Sequence, residues 1–182
     1  MIVVEGPDGA GKTTLIRELS ARYNIPIAPR VVSKDAEGLG GNGKAWVEEN
    51  LAQGFQYTLF DRHRLISEFI YGPVLRTEQE PGFTDMWWVY QSLQRFYSLG
   101  PLVIYCLPPL ELVRANVLHD DDNSAVAKFI EPIYSSYLHR FAMDTFAGFN
   151  PLVWDYNSDG KELDPLRTFD SAFASIQKRV GL

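Results

Sequence analysis

An α/β fold, with a parallel sheet of about five strands covered by helices on both faces, is what this sequence predicts. Three observations carry that expectation. Short apolar runs closed by glycine or proline alternate with longer segments whose apolar residues recur every three to four positions. The first run, Ile2-Val3-Val4, opens into a glycine-rich turn and then a helical pattern. No repeat, low-complexity tract or linker interrupts the alternation, so residues 1–182 read as one domain, long enough to bury a full core under a sheet.

The elements follow in order. Ile2-Val3-Val4, bounded by Gly6-Pro7, reads as a buried parallel strand. A helix is expected from Lys12 to Tyr23, with Leu15, Ile16, Leu19 and Tyr23 on one face. Residues 25–32 suit a short strand interrupted by Pro26 and Pro29, and GLGGNG at 38–43 reads as a turn. Ala45 to Gln53 is expected to be helical through Trp46, Val47, Asn50 and Leu51, stopping at Gly54. Phe55 to Phe60 is the next strand, ending at Asp61; Leu65 to Tyr71 is a helix closed by Gly72-Pro73. A polar loop at 75–83 leads to a helix capped by Thr84, with Met86, Val89, Tyr90, Leu93, Phe96 and Tyr97 as its stripe. Leu102 to Leu107 is the clearest strand, followed after Pro108-Pro109 by a helix carrying Leu112, Val113 and Val117. Beyond the acidic turn HDDDN, a helical region runs from Phe129 through Phe141, kinked or restarted at Pro132. Leu152 to Tyr156 is a last strand, and Asp164-Pro165 opens a terminal helix.

The bulk chemistry narrows the class. No run approaches the length of a membrane span, and no basic leader precedes the first strand, so no membrane partner is expected. The single cysteine, Cys106, lies in an apolar run; a buried, inert thiol in a reducing, cytoplasmic setting follows. A formal net charge of -6 disfavours a broad nucleic-acid coat but leaves room for a local basic cleft. The three histidines have no metal-ligand spacing, which argues against zinc.

Gly6-Pro7-Asp8-Gly9-Ala10-Gly11-Lys12-Thr13 satisfies G-x-x-x-x-G-K-[ST], after a strand and opening a helix, where that phosphate loop must sit. Its glycines let successive N–H groups turn inward at the positive end of a helix, making an anion nest. Lys12 can reach β- and γ-phosphates, and the Thr13 hydroxyl can ligate Mg²⁺. A nucleoside triphosphate is therefore the expected ligand, with Gly6 to Thr14 as its cradle. No Asn-Lys-x-Asp guanine reader occurs late in the chain, and the strand Tyr57-Thr58-Leu59-Phe60 ends in Asp61-Arg62 where a motor ATPase would carry Asp-Glu. A small-acceptor kinase instead needs a second site facing the γ-phosphate, and Asp61-Arg62 at a strand's carboxyl end meets that need.

EGPDGAGKTT resembles the phosphate loop of the thymidylate-kinase family. Asp61-Arg62, with Ser67 and Tyr71-Gly72, resembles that family's acceptor motif, and Leu107-Pro108-Pro109 leading to Arg114 resembles its stretch after the fourth strand. The stretch DRHRLISEFIYGPVLR looks like a small phage-type branch, some of whose members phosphorylate the hydroxymethyl group of 5-hydroxymethyluracil in DNA. The resemblance implies a P-loop kinase using ATP and Mg²⁺, with Lys12, Thr13 and Thr14 on the nucleotide and metal. It implies Asp8 near the acceptor sugar and Arg62 on an acceptor phosphate. Asp61 would hold Mg²⁺ through water or orient the attacking oxygen, and Arg30 corresponds to an acceptor-binding arginine. Tyr71 belongs to the same acceptor wall.

The chain departs from the family where a lid would carry several arginines: VLHDDDNSAVAKFIEP supplies Asp120 to Asp122 and one lysine, Lys128. An acceptor hydroxyl brings less charge to the site than an acceptor phosphate and needs fewer lid cations. The favoured acceptor is thus the hydroxymethyl group of 5-hydroxymethyldeoxyuridine in phage DNA, with a thymidylate-type monophosphate as the alternative. A non-enzymatic nucleotide-binding switch is the rival of another class, and a homodimer is compatible with the sequence. Trp87, Trp88 and Phe96 are open to two readings, base stacking or core packing.

Overall fold

The computed structural model describes residues 1–29, 42–54, 57–75, 86–119 and 124–156. Four strands, β1 (Ile2–Glu5), β2 (Leu59–Asp61), β3 (Leu102–Cys106) and β4 (Leu152–Trp154), form one parallel sheet in the order β2-β1-β3-β4. The register pairs Val4 with Asp61 on one side and with Ile104 on the other. Every residue of β1 and β3 is buried, as expected of strands covered on both faces.

The count among the described residues is four, where about five were expected. The difference lies near residues 25–32. Ile27 makes a single parallel bridge to Leu59, through Ala28 N–H to the Leu59 carbonyl and Leu59 N–H to the Pro26 carbonyl. Pro26 has no N–H to donate, so the pairing does not extend toward residue 25, and residues 30–32 lie outside the described residues.

Seven helices lie among the described residues: α1 (Lys12–Tyr23), α2 (Asn42–Ala52), α3 (Arg64–Leu75), α4 (Met86–Ser98), α5 (Leu110–Leu118), α6 (Ser124–Ala127) and α7 (Ile130–Phe146). α1 has the bounds its periodicity predicts, with Leu15, Ile16 and Leu19 buried. α2 begins at Asn42, so the last two residues of the expected turn are helical. α3 continues through Gly72-Pro73, correcting the expectation that these residues end it. Pro73 removes only its own N–H from the last turn, while Ile70 and Val74 pack into the core and hold that turn in place. Pro132 marks a new start and no kink: it is the third residue of α7, where an N–H has no intrahelical partner to lose.

Alternation along the strands sends side chains to two cores. Ile2, Val4, Leu102 and Ile104 pack with Leu15, Ile16 and Leu19 of α1 and with Val113 and Val117 of α5. Met1, Val3, Phe60, Val103 and Tyr105 pack on the other face with residues of α2, α3, α4 and α7. Cys106 is buried, as its apolar surroundings predict. No helix among the described residues is long and apolar enough to cross a membrane. The acidic residues 120–122, the Thr84 cap and the expected terminal helix lie outside the described residues.

The chain leaves β1 toward β2 on one side and later returns to β3 on the other. The carboxyl ends of β1 and β3 therefore form the switch point where open parallel sheets hold their ligands.

Candidate active site

The loop after β1 occupies that switch point. Gly6 has φ 146°, and a Cβ there would come within 2.6 Å of the Cys106 carbonyl oxygen, so only glycine lets the loop pass β3. Gly9 and Gly11 take left-handed φ of 76° and 79°, turning the backbone into the first turn of α1. At Gly11 a Cβ would meet the Trp154 and Tyr156 rings, so the end of β4 seals the loop's outer side. Asn116 of α5 donates to the Gly9 carbonyl and to the Tyr156 hydroxyl, each at 2.8 Å. Thr13 and Thr14 are exposed on the first turn of α1.

Lys12, first residue of α1, is buried, and its ammonium donates to the Pro7 carbonyl at 2.6 Å, back over the loop. Burial, and next the charge of Arg62, lower its pKa to about 8, against the opposing pull of Asp8 and Asp61. Ala10 is buried beneath the loop, and Pro7 is buried beside it.

Arg62 follows β2 with a left-handed φ of 66°, unusual for a residue bearing a Cβ. That turn swings its guanidinium across to the loop. Nη2 donates to Asp8 Oδ1 at 2.7 Å, to the Tyr71 hydroxyl at 2.5 Å and, more weakly, to the Gly6 carbonyl at 3.3 Å. The Tyr71 hydroxyl in turn donates to Asp8 Oδ2 at 2.9 Å, and its ring lies under the guanidinium at 4.6 Å. Burial would raise the Asp8 carboxyl, but Arg62 and Lys12 outweigh it and hold it below the usual carboxylate range. The cluster is thus an ionised Asp8 clamped by a partly buried Arg62, with Tyr71 kept as a phenol by burial.

The structure brings Lys12, at the start of α1, Arg62, after β2, and Tyr71, of α3, around the loop that carries Asp8. Asp61 ends β2, and its charge reaches Lys12. Thr13 and Asp61 offer the hard oxygens that Mg²⁺ takes beside phosphate oxygens and water, while no group of three metal-binding side chains occurs among the described residues. Arg30 lies outside the described residues. Ser67 donates to the His63 carbonyl one turn back, a local helical contact. Of the aromatics open to two readings, Phe96 is fully buried, Trp88 donates to Glu48 at 2.6 Å, and Trp87 is exposed.

Beneath Arg62 lies a group that sequence reasoning missed. Glu5, the last residue of β1, is fully buried; it accepts from the His63 N–H at 2.7 Å and from the Tyr137 hydroxyl at 3.1 Å. Burial raises its pKa to about 7, moderated by those donors and by Arg62. His63 is fully enclosed by the rings of Trp46, Phe60 and Phe96, and burial lowers its pKa to about 3, so it is neutral. The signal for Glu5 was a carboxylate closing an apolar run. Tyr137 gave none, since it reads as one more member of a helical stripe.

No protein-family model matches the chain, and no curated protein matches it in sequence. Solved structures do. The YorR protein of Bacillus subtilis, in complex with phosphorylated GDP, superposes with a TM-score of 0.65 at 17% identity, over 98% of this chain and 96% of that one. Deoxyadenosine kinase from M. mycoides with bound dATP gives 0.55 at 16% identity, over 97% and 98% of the two chains. The same enzyme with bound dCTP gives 0.54 at 15% identity, over 96% and 100%. The fold is thus the α/β architecture of these nucleotide-bound proteins.

Proposed function

We propose that this protein is an ATP-dependent phosphotransferase that moves a γ-phosphate to a hydroxyl of a thymidine-type acceptor, favoured as the 5-hydroxymethyl group of 5-hydroxymethyldeoxyuridine in DNA. One observation carries the choice of a hydroxyl. The cation on the acceptor side, Arg62, is already neutralised by Asp8 at 2.7 Å. With Lys12 committed to the donor's phosphates, little surplus positive charge among the described residues would hold a second phosphate. A neutral hydroxyl asks for none.

In this reading the glycine-rich loop and Lys12 hold the triphosphate, and Thr13 and Asp61 would hold Mg²⁺, which would supply charge neutralisation to the phosphates. Asp8, held ionised, accepts a hydrogen bond from the acceptor hydroxyl and aims its oxygen at the γ-phosphorus. The new P–O bond forms as the bond to the β-phosphate oxygen breaks, the hydroxyl proton passes by way of the Asp8 carboxylate to solvent, and ADP leaves. Catalysis is chiefly positioning and charge stabilisation. The loop's fit to a strand–turn–helix context and the fold shared with YorR and deoxyadenosine kinase support the reading.

The likeness to deoxyadenosine kinase supports a second hydroxyl acceptor, a free deoxynucleoside. Incubation with γ-labelled ATP and Mg²⁺ tests both against a panel of hydroxymethyluracil-containing DNA, plain DNA, each deoxynucleoside monophosphate, thymidine and deoxyadenosine. Label on the hydroxymethyluracil DNA is expected. Label only on a deoxynucleoside moves the acceptor to the second reading, and label only on a monophosphate overturns the hydroxyl argument. Tight ATP binding with no transfer to any acceptor would make the protein a nucleotide-binding switch.

A further inference from the structure

The left-handed backbone at Arg62 needs a cause. Such a conformation costs a residue with a Cβ roughly 1–2 kcal/mol and persists only where its surroundings over-determine it. Both peptide groups flanking Arg62 are tied to β1. The Arg62 N–H donates to the Val4 carbonyl at 3.0 Å, continuing the ladder between β1 and β2. The next N–H, that of His63, has turned away from the ladder and donates instead to the Glu5 side chain at 2.7 Å.

We infer that Glu5 is a positioning residue for the acceptor side: its carboxylate captures the His63 amide, fixes the turn at Arg62 and so delivers the guanidinium to Asp8 and Tyr71. This rests on the reading of Arg62 as part of the acceptor site. The placement is unusual enough to need a function. A fully buried carboxylate carries a large desolvation cost that an apolar residue in β1 would avoid. Its second oxygen accepts from Tyr137 of α7, whose ring lies 6.1 Å from that of Tyr71. Glu5 therefore joins β1, the β2–α3 joint and α7 directly beneath the Asp8–Arg62–Tyr71 cluster.

The test compares Glu5→Ala and Glu5→Gln in wild-type and Arg62→Ala backgrounds, measuring acceptor KM and ATP Kd. Gln keeps an oxygen that accepts from the His63 N–H; Ala does not. Glu5→Ala should raise acceptor KM about tenfold, with ATP Kd changed less than about twofold, and Glu5→Gln should restore most of the loss. In the Arg62→Ala background the same Glu5→Ala change should have almost no further effect, because its route to the acceptor is gone. Additive losses in that cycle, equal damage by Ala and Gln, or a matching loss of ATP binding would overturn the proposal. Amide exchange at His63, protected in the wild type and in Glu5→Gln but fast in Glu5→Ala, reads the same contact without turnover. A wild-type protein that phosphorylates no acceptor would defeat the functional reading alone, and the exchange experiment would still decide the role of Glu5. If Glu5→Ala does not fold, unprotected His63 exchange in Glu5→Gln contradicts the proposal on its own.

Discussion

Lys12 and Arg62 carry one positive charge each, and the proposed function gives them different work in keeping with their surroundings. Lys12 sits on the loop with its ammonium over the Pro7 carbonyl, positioned to exchange that neutral acceptor for phosphate oxygens. Arg62 is already bonded to a carboxylate and a phenol, so it serves as a fixed wall. Lys12→Ala should therefore lower transfer by about a hundredfold or more while leaving the thermal transition close to that of the wild type. Arg62→Ala should raise acceptor KM far more than ATP Kd; equal loss of both would move Arg62 out of the acceptor site. The sequence made Lys12 legible because its spacing is local and chemically specific. It made Arg62 legible only as a residue at a strand end. The contact with Asp8 spans 54 positions, and the left-handed turn that creates it depends on Glu5 across 58.

At the scale of elements, the joints between strands and helices hold most of the specificity. Gly6 is pressed against β3, whereas Gly54, also left-handed at φ 72°, has open space where a Cβ would point. Gly6→Ala should cost several kcal/mol in chemical denaturation and weaken ATP binding, while Gly54→Ala should cost only about 1–2 kcal/mol. Similar losses at both sites would contradict the packing of the loop on Cys106. Helix α1 is legible from its periodicity because its buried face and its flanking glycines are all local. Helix α3 is longer than its sequence implies, since Gly72-Pro73 is a local stop signal that packing of Ile70 and Val74 overrides. Of the short strand expected at 25–32, the described residues hold one bridge at Ile27, and Pro26, which marked the segment, also denies it a hydrogen bond on one side.

For the whole molecule, two buried titratable groups pull stability in opposite directions. His63, with a folded pKa of about 3 against an ordinary 6.5, binds its proton less readily in the folded state. Its contribution is fully present above pH 6.5 and is lost as pH falls toward 3. Glu5, raised from 4.5 to about 7, binds its proton more readily when folded. Its contribution is present below pH 4.5 and is lost as pH rises through 7. Between 4.5 and 6.5 the two largely offset each other. Glu5→Gln removes one of them, so its unfolding free energy should climb with pH more steeply than that of the wild type, by up to about 1.4 kcal/mol per unit in that window. Parallel slopes would show that Glu5 does not titrate there. Neither shift was legible in the sequence, because each group acquires its pKa from neighbours brought together by the sheet order. That order was equally hidden: alternating strands and helices imply a parallel sheet but not which strand lies beside β1.

Phosphate transfer itself is the most direct measurement. Wild-type protein and Lys12→Ala, each given γ-labelled ATP, Mg²⁺ and hydroxymethyluracil-containing DNA, should differ completely: label on the DNA with the first and background with the second. Label that appears equally with both, or only on a free monophosphate, would contradict the assignment of Lys12 and the Asp8–Arg62–Tyr71 cluster to one site for a hydroxyl acceptor.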